Sequence, residues 1–196
     1  LSQQLRMIIT LSVPAIFSQI SSIIMQYIDA SMVGRLGADA SASIGLVSSS
    51  TWLVNGVCSA VAVGFTVQIA HRIGAGKDRE ARAIVRQGLL SVFCFALAMS
   101  LAASAASGHL PVWLGAGEDL RGGASAYFLV WALFLPVQQM NYAASGMLQC
   151  SGNMKTPSAL NILMCPLDVV FNFLLIFPTR ELTLMGRTLT VPGAGL

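Results

Sequence analysis

Charge is scarce in this chain of 196 residues: Lys, Arg, Asp and Glu together make up 10% of it, against about 25% in an ordinary soluble domain. With 55% hydrophobic residues and a mean hydropathy of +0.73, that scarcity excludes a water-soluble globular protein. Metal-ligand patterns are also missing. The two histidines, His71 and His109, stand at loop edges, and Cys58, Cys94, Cys150 and Cys165 lie in or beside apolar runs without C-x-x-C spacing. They read as solvated side chains and inert packing thiols, so no structural metal, cofactor or redox pair is expected. Nor is there a nucleic-acid patch: the basic cluster at residues 72–86 fits the charged cytoplasmic loop of a membrane protein better.

What is present is a series of apolar runs long enough to cross about 30 Å of hydrocarbon. They cover about residues 7–33, 44–70, 88–107, 124–144 and 156–177, and each predicts one helix. The segments between them, such as "GRLGADAS" and "HRIGAGKDREARAIVRQG", have the composition of water-facing connections. The closing "GAGL" resembles the small-residue start of a packed membrane helix, so a sixth helix is expected from about residue 193, continuing past Leu196. The fold class expected is an all-α integral membrane bundle of five helices plus the start of a sixth. With the N-terminus inside, one side holds Arg6, Arg72, Lys77, Arg79, Arg82, Arg86 and Lys155, the other Arg35, Arg121, Arg180 and Arg187. The bias favours a cytoplasmic N-terminus. The first run is too long for a signal peptide and holds Pro14 and Gln19.

Small residues recur every fourth position at Gly56, Ala60 and Gly64 and at Ala98, Ala102 and Ala106, a pattern that lets membrane helices approach closely. Pro14, Pro136 and Pro166 fall inside runs, where proline removes a ladder hydrogen bond and tends to kink the helix. "ELTLMGRTLTV" alternates apolar and polar residues on both sides of Met185 and Gly186 and predicts a small β-hairpin.

Against this background the stretch "CPLDVVFNFLLIF" stands out. A carboxylate at mid-membrane depth costs about 2.5 to 3.5 kcal/mol on insertion scales, so Asp168 is expected to face the bundle interior or a watery cavity. It needs a partner or a proton. Asn161, Asp168 and Asn172 share one helical face. Asp29, near the end of the first run, adds a second intramembrane acid, with Gln19 and Gln26 on the same helix. Such acids can exchange a proton for a sodium ion or a cationic substrate; a structural polar cluster for Asp168 and an interfacial position for Asp29 are the alternatives. Tyr27, Trp52, Tyr142, Met25, Met140 and Met164, with Gln26, Asn141 and Asn161, are candidates for a tolerant cavity wall, although for any one of the aromatic and Met side chains lipid or helix packing is the better reading.

At these residues the chain resembles a family. "PAIFSQISSIIMQYIDASMVGRLG", residues 14–37, is similar to the first helix of the multidrug and toxic compound extrusion (MATE) transporters, with its bend proline, its acid and V-G-x-L-G. "QIAHRIGAGKDREAR", residues 68–82, resembles that family's loop after helix two, and "GMLQCSGNMKTP", residues 146–157, its loop before helix five. The resemblance implies one N-terminal lobe of a twelve-helix, two-lobe transporter in the bacterial inner membrane. Such a protein exports organic cations or drugs against an inward flow of protons or sodium, with membrane lipid and a C-terminal lobe as partners. Asp29 matches the family's first-helix acid and Asp168 with Asn172 its fifth-helix polar pair, and Pro14 its helix bend; sodium, if used, would sit at these three polar residues. Members with an acid in that pair commonly place the asparagine first, and here the order is reversed.

Other classes fit less well. An intramembrane aspartyl protease would need Tyr-Asp and Gly-x-Gly-Asp, where this chain has "YID" and "PLD". A flippase for lipid-linked oligosaccharide shares the architecture but usually carries basic residues in its cavity, and here every Lys and Arg is at a helix end or in a loop. No enzyme activity is expected.

Overall fold

The computed structural model describes the backbone of residues 3–35, 37–176, 178–184 and 187–194, and the side chains of residues 9–10, 12–35 and 37–172. The elements are α1 (Gln3–Gly34), α2 (Ala38–Gly74), α3 (Asp78–Ala106), α4 (Leu110–Trp113), α5 (Glu118–Cys150), α6 (Lys155–Ile176), β1 (Pro178–Leu184) and β2 (Arg187–Ala194). Each expected apolar run falls on one long helix, and the first, second and fourth runs form the middle of theirs. The helices continue past the runs because the flanking residues, such as "DREARAIVRQ" before the third, are themselves helix formers. The shortest of the five, α6, has 22 residues, or about 33 Å at 1.5 Å per residue. Among the described residues, α2, α3 and α5 are long and apolar enough to cross a membrane.

Three helix ends stop the same way. Lys77 N–H donates to the Arg72 carbonyl while Gly76 N–H donates to Ile73, and Asn153 and Gly152 repeat the pattern on Leu148 and Gln149. Ala116 and Gly115 do so on Pro111 and Val112. These are Schellman ends, and the glycine at each has a positive φ, 71° at Gly76 and 86° at Gly152. Glu80 then bonds Arg72 at 2.8 Å and Lys77 at 3.2 Å, tying the end of α2 to the start of α3. The short α4, with Pro111 in its first turn, lies inside a segment expected to be a plain loop.

The hairpin is found where it was expected. β1 and β2 pair antiparallel from Leu184 opposite Arg187, and Met185 and Gly186 lie outside the described residues. A helix beginning at about residue 193 is not what the backbone shows: Gly193 and Ala194 close β2, paired to the start of β1, and residues 195–196 are outside the described set.

The chain divides into two compact units, residues 1–37 with 154–196, and residues 38–153. In the second unit α2 and α5 run parallel. A Cβ placed on Gly123 would meet Ser43, and one on Gly146 would meet Thr66, so the residue offset is the same at both ends. α3 runs antiparallel to both, with Gly88 beside Phe65 of α2 and Met147 of α5. Two apolar clusters fill this unit, one around Val47, Ala103, Ala124, Phe128 and Ala132, the other around Ala62, Ile69, Val92, Ala143 and Met147. The close-packing glycines are therefore Gly88, Gly123 and Gly146. Gly56 and Gly64 meet nothing within 4 Å of an added Cβ, and Ala60, Ala98 and Ala102 are exposed. The four-residue spacing marks a stripe but not which stripe meets a neighbour, and the packed one lies on the adjacent face.

Candidate functional site

The first unit is built on α1 and α6. Asn161 donates to the Ser18 hydroxyl at 3.0 Å, and Asn172 donates to Asp29 Oδ1 at 2.8 Å. Both pairs are separated by 143 residues in sequence, so the helices run parallel and in register. The two levels lie eleven residues apart on each helix, three turns at 3.6 residues per turn, which is why one face serves both. The same register sets Asp168 level with Met25, one turn below Asn172.

Asn172 Nδ2 also donates to Asp168 Oδ2 at 3.1 Å. Both partners of this nitrogen are carboxylates, which accept only, so the amide must present its two N–H bonds to them. Holding the same nitrogen, the two carboxyls are brought close to each other. Asp29, Asp168 and Asn172 are half-buried, and no lysine or arginine is paired with either acid among the described residues. Two acids converging on one neutral donor in an apolar helix pair are a group whose chemistry suits a proton or a hard cation.

Of the other candidates, Asn161 lies on this seam, while Gln26, Tyr27 and Asn141 are exposed, Tyr27 at 75%. Trp52, Tyr142 and Met164 are exposed, and Met25 and Met140 half-buried. Pro14 lies in α1 one turn before Ser18, and α1 is a continuous helix through it. Ser21 and Ser22 donate back to the Phe17 and Ser18 carbonyls, a local bonding that favours slight bending. Among the described residues no group of three or more His, Cys, Asp or Glu could hold a metal.

One polar contact was not anticipated from the sequence. Gln139 of α5 is 1% exposed and donates through Nε2 to Asn55 Oδ1 of α2, while its own Oε1 is buried without a partner. The second run holds the amides Asn55 and Gln68 and the fourth Gln138, Gln139 and Asn141, and nothing in the pattern shows that Asn55 and Gln139 meet.

The seam of α1 and α6 falls inside a match to a family model described as MatE, which spans residues 14–174. The chain belongs to the MatE family. It is 30% identical over 132 residues to Probable multidrug resistance protein NorM of Synechococcus sp., covering 66% of this chain and 28% of that protein. It is 22% identical over 185 residues to Probable multidrug resistance protein NorM of Neisseria meningitidis serogroup B, covering 94% of this chain and 40% of that one. The chain thus spans less than half the length of the curated relatives it matches. A solved MOP superfamily transporter from Pyrococcus furiosus, whose reversed binding-pocket polarity suggests a different function for that protein, superposes with a TM-score of 0.82 at 21% identity. It covers 87% of this chain and 38% of the other, and shares the fold. The chain is thus a multi-pass membrane protein of the MatE family.

Proposed function

We propose that this MatE chain forms part of a cation-coupled antiporter that exports organic cations or drugs across the bacterial cytoplasmic membrane, with Asp29, Asp168 and Asn172 as its proton- or sodium-binding site. It works as a transporter and not as an enzyme, with its N-terminus in the cytoplasm. The observation that carries the reading is the Asn172 amide held between two carboxylates from two parallel helices. The NorM relatives, named for multidrug resistance, favour drug export.

The donor set fits the coupling ion. Oxygen ligands suit a hard cation, and the two carboxyls with the amide oxygen supply them. The Asn172 nitrogen stands in the position a cation would take, so entry of sodium requires the amide to turn and offer its oxygen. A proton needs no such turn, since it can be held by the two carboxyls while the amide stays in place. Loading the site alters how α1 and α6 grip each other, and that change of helix packing couples ion entry to substrate release.

The test is efflux of a fluorescent organic cation from cells carrying the full-length protein, driven separately by a proton and by a sodium gradient. Asp29→Asn and Asp168→Asn, present in the membrane at wild-type level, are expected to lose gradient-driven efflux by on the order of tenfold or more, as for loss of a charged ligand. Export at the wild-type rate by both variants would falsify the assignment and leave the three residues a structural cluster.

A further inference from the structure

We infer that a groove along α3 and α5 binds an anionic phospholipid. The groove has a volume of about 1000 Å³ and is lined by Arg82, Arg86, Leu89, Leu90, Phe93 and Met140, among others. It belongs wholly to the second unit and shares no residue with the acid site.

Its two ends differ in chemistry. Arg82 and Arg86 are four residues apart on α3 and so lie one above the other on one helix face. Both are exposed, and among the described residues neither has a carboxylate within ion-pair distance, although Arg72 and Lys77 at the same end share Glu80. Asp78, one turn before Arg82, lines a neighbouring pocket and makes no ion pair with it. The other end is apolar: Leu90 is 64% exposed and Phe93 43%, with Met140 of α5 opposite. From Arg82 to Phe93 is about 16 Å along the helix, about half of a hydrocarbon core roughly 30 Å thick. The arginines fall just before the apolar run of α3 and the aliphatic wall just inside it. That is the profile of one leaflet, phosphate at the boundary and acyl chain below.

Guanidinium groups bind phosphate oxygens in bidentate fashion, and basic clusters beside membrane helices attract anionic headgroups. A free phosphate would use the arginines and leave the apolar wall idle. An organic cation would be repelled by them. An anionic lipid satisfies both ends.

The experiment is native mass spectrometry of the purified full-length protein titrated with dioleoylphosphatidylglycerol, dioleoylphosphatidylcholine or glycerol phosphate. The wild type is expected to retain phosphatidylglycerol in preference to phosphatidylcholine, with no competition from glycerol phosphate. Each of Arg82→Gln and Arg86→Gln should weaken phosphatidylglycerol binding by about fivefold, the effect expected for one basic residue near the headgroups. Leu90→Trp, which fills the apolar end, should weaken it with both arginines intact. The pair Arg72→Gln and Lys77→Gln removes two charges from the same end outside the groove and should weaken binding less than either groove variant. Equal retention of the two lipids by wild type overturns the inference. So does an equal loss in the Arg72 and Lys77 control, or competition by glycerol phosphate, which would make the site one for a soluble anion.

Discussion

The bond from Asn172 to Asp29 across α1 and α6 can be weighed by a double-mutant cycle. Charged hydrogen bonds contribute about 1.5 to 3 kcal/mol in soluble proteins, but polar pairs between membrane helices average about 0.6 and reach about 1.7 kcal/mol. Asp29 and Asn172 are half-buried, so solvent screening lowers the upper figure. The 2.8 Å separation and the carboxylate acceptor place this pair near the top of the membrane range, and a coupling of about 1 to 1.5 kcal/mol is expected. Asn161 to Ser18 is a neutral pair at 3.0 Å, for which about 0.5 kcal/mol is expected. The assay is reversible unfolding of the full-length protein in mixed micelles for Asn172→Ala, Asp29→Ala and their combination, beside the same cycle for Asn161→Ala and Ser18→Ala. The cycle cancels the loss of the Asp168 contact, which both Asn172→Ala forms share. A coupling below about 0.3 kcal/mol, within the usual additivity error, or one smaller than that of the neutral pair, refutes the bridging role.

Gln139→Leu removes a side chain whose Oε1 is already buried without a partner, so it should cost less than about 1 kcal/mol, whereas Asn55→Leu orphans the whole Gln139 amide and should cost about 1 to 3 kcal/mol; thermal unfolding of the two variants reverses this order if the amides do not meet. Gly88→Val pushes carbon against Phe65 Cγ and Met147 Cε, each 2.9 Å from an added Cβ, and should cost about 1 to 3 kcal/mol. Gly56→Ala meets nothing within 4 Å and should be neutral or stabilising by about 0.5 to 1 kcal/mol; equal melting temperatures for the two variants would show that Gly88 is not packed as described. Exchanging the fifth-run pair, Asp168→Asn with Asn172→Asp, sets two carboxylates at the same level with no amide between them. That double variant should be less stable than wild type without sodium and gain more from added sodium, and a sodium response equal to that of wild type would count against ion binding at these residues.

The helices were legible because each is an apolar run about as long as the membrane core is thick; the Schellman ends came only with the structure, where a glycine at each takes a positive φ. The polar face of α6 was legible too, since spacings of seven and four residues keep Asn161, Asp168 and Asn172 in line on any helix. The level of that face against α1 was not. A residue pattern carries rotational phase within one helix, but the axial register between two helices is set by what packs, here Ser18 against Asn161 and Asp29 against Asn172. The same reason hid Gln139 and Asn55, which lie 84 residues apart, and sent the small-residue reading to Gly56 and Gly64 when the close approaches belong to Gly88, Gly123 and Gly146. The turn of α4 is too short to have a period of its own.

The register also changes the meaning of the reversed aspartate and asparagine. With a constant offset along the seam, the residue at position 172 is the one level with Asp29, so the amide there comes between two acids that would otherwise confront each other. Pro166 lies on α6 between the level of Asn161 and that of Asn172, whereas Pro14 lies on α1 before Ser18 and outside the interval. Each proline deletes one ladder bond of its helix. A bend at Pro14 moves the start of α1 and leaves both attachments as they are. A bend at Pro166 swings Asp168 and Asn172 about the Asn161–Ser18 contact and changes their distance to Asp29 directly. On the proposed function, bending at Pro166 would move Asp168 and Asn172 against Asp29, beside the bend at Pro14 that the family resemblance implies.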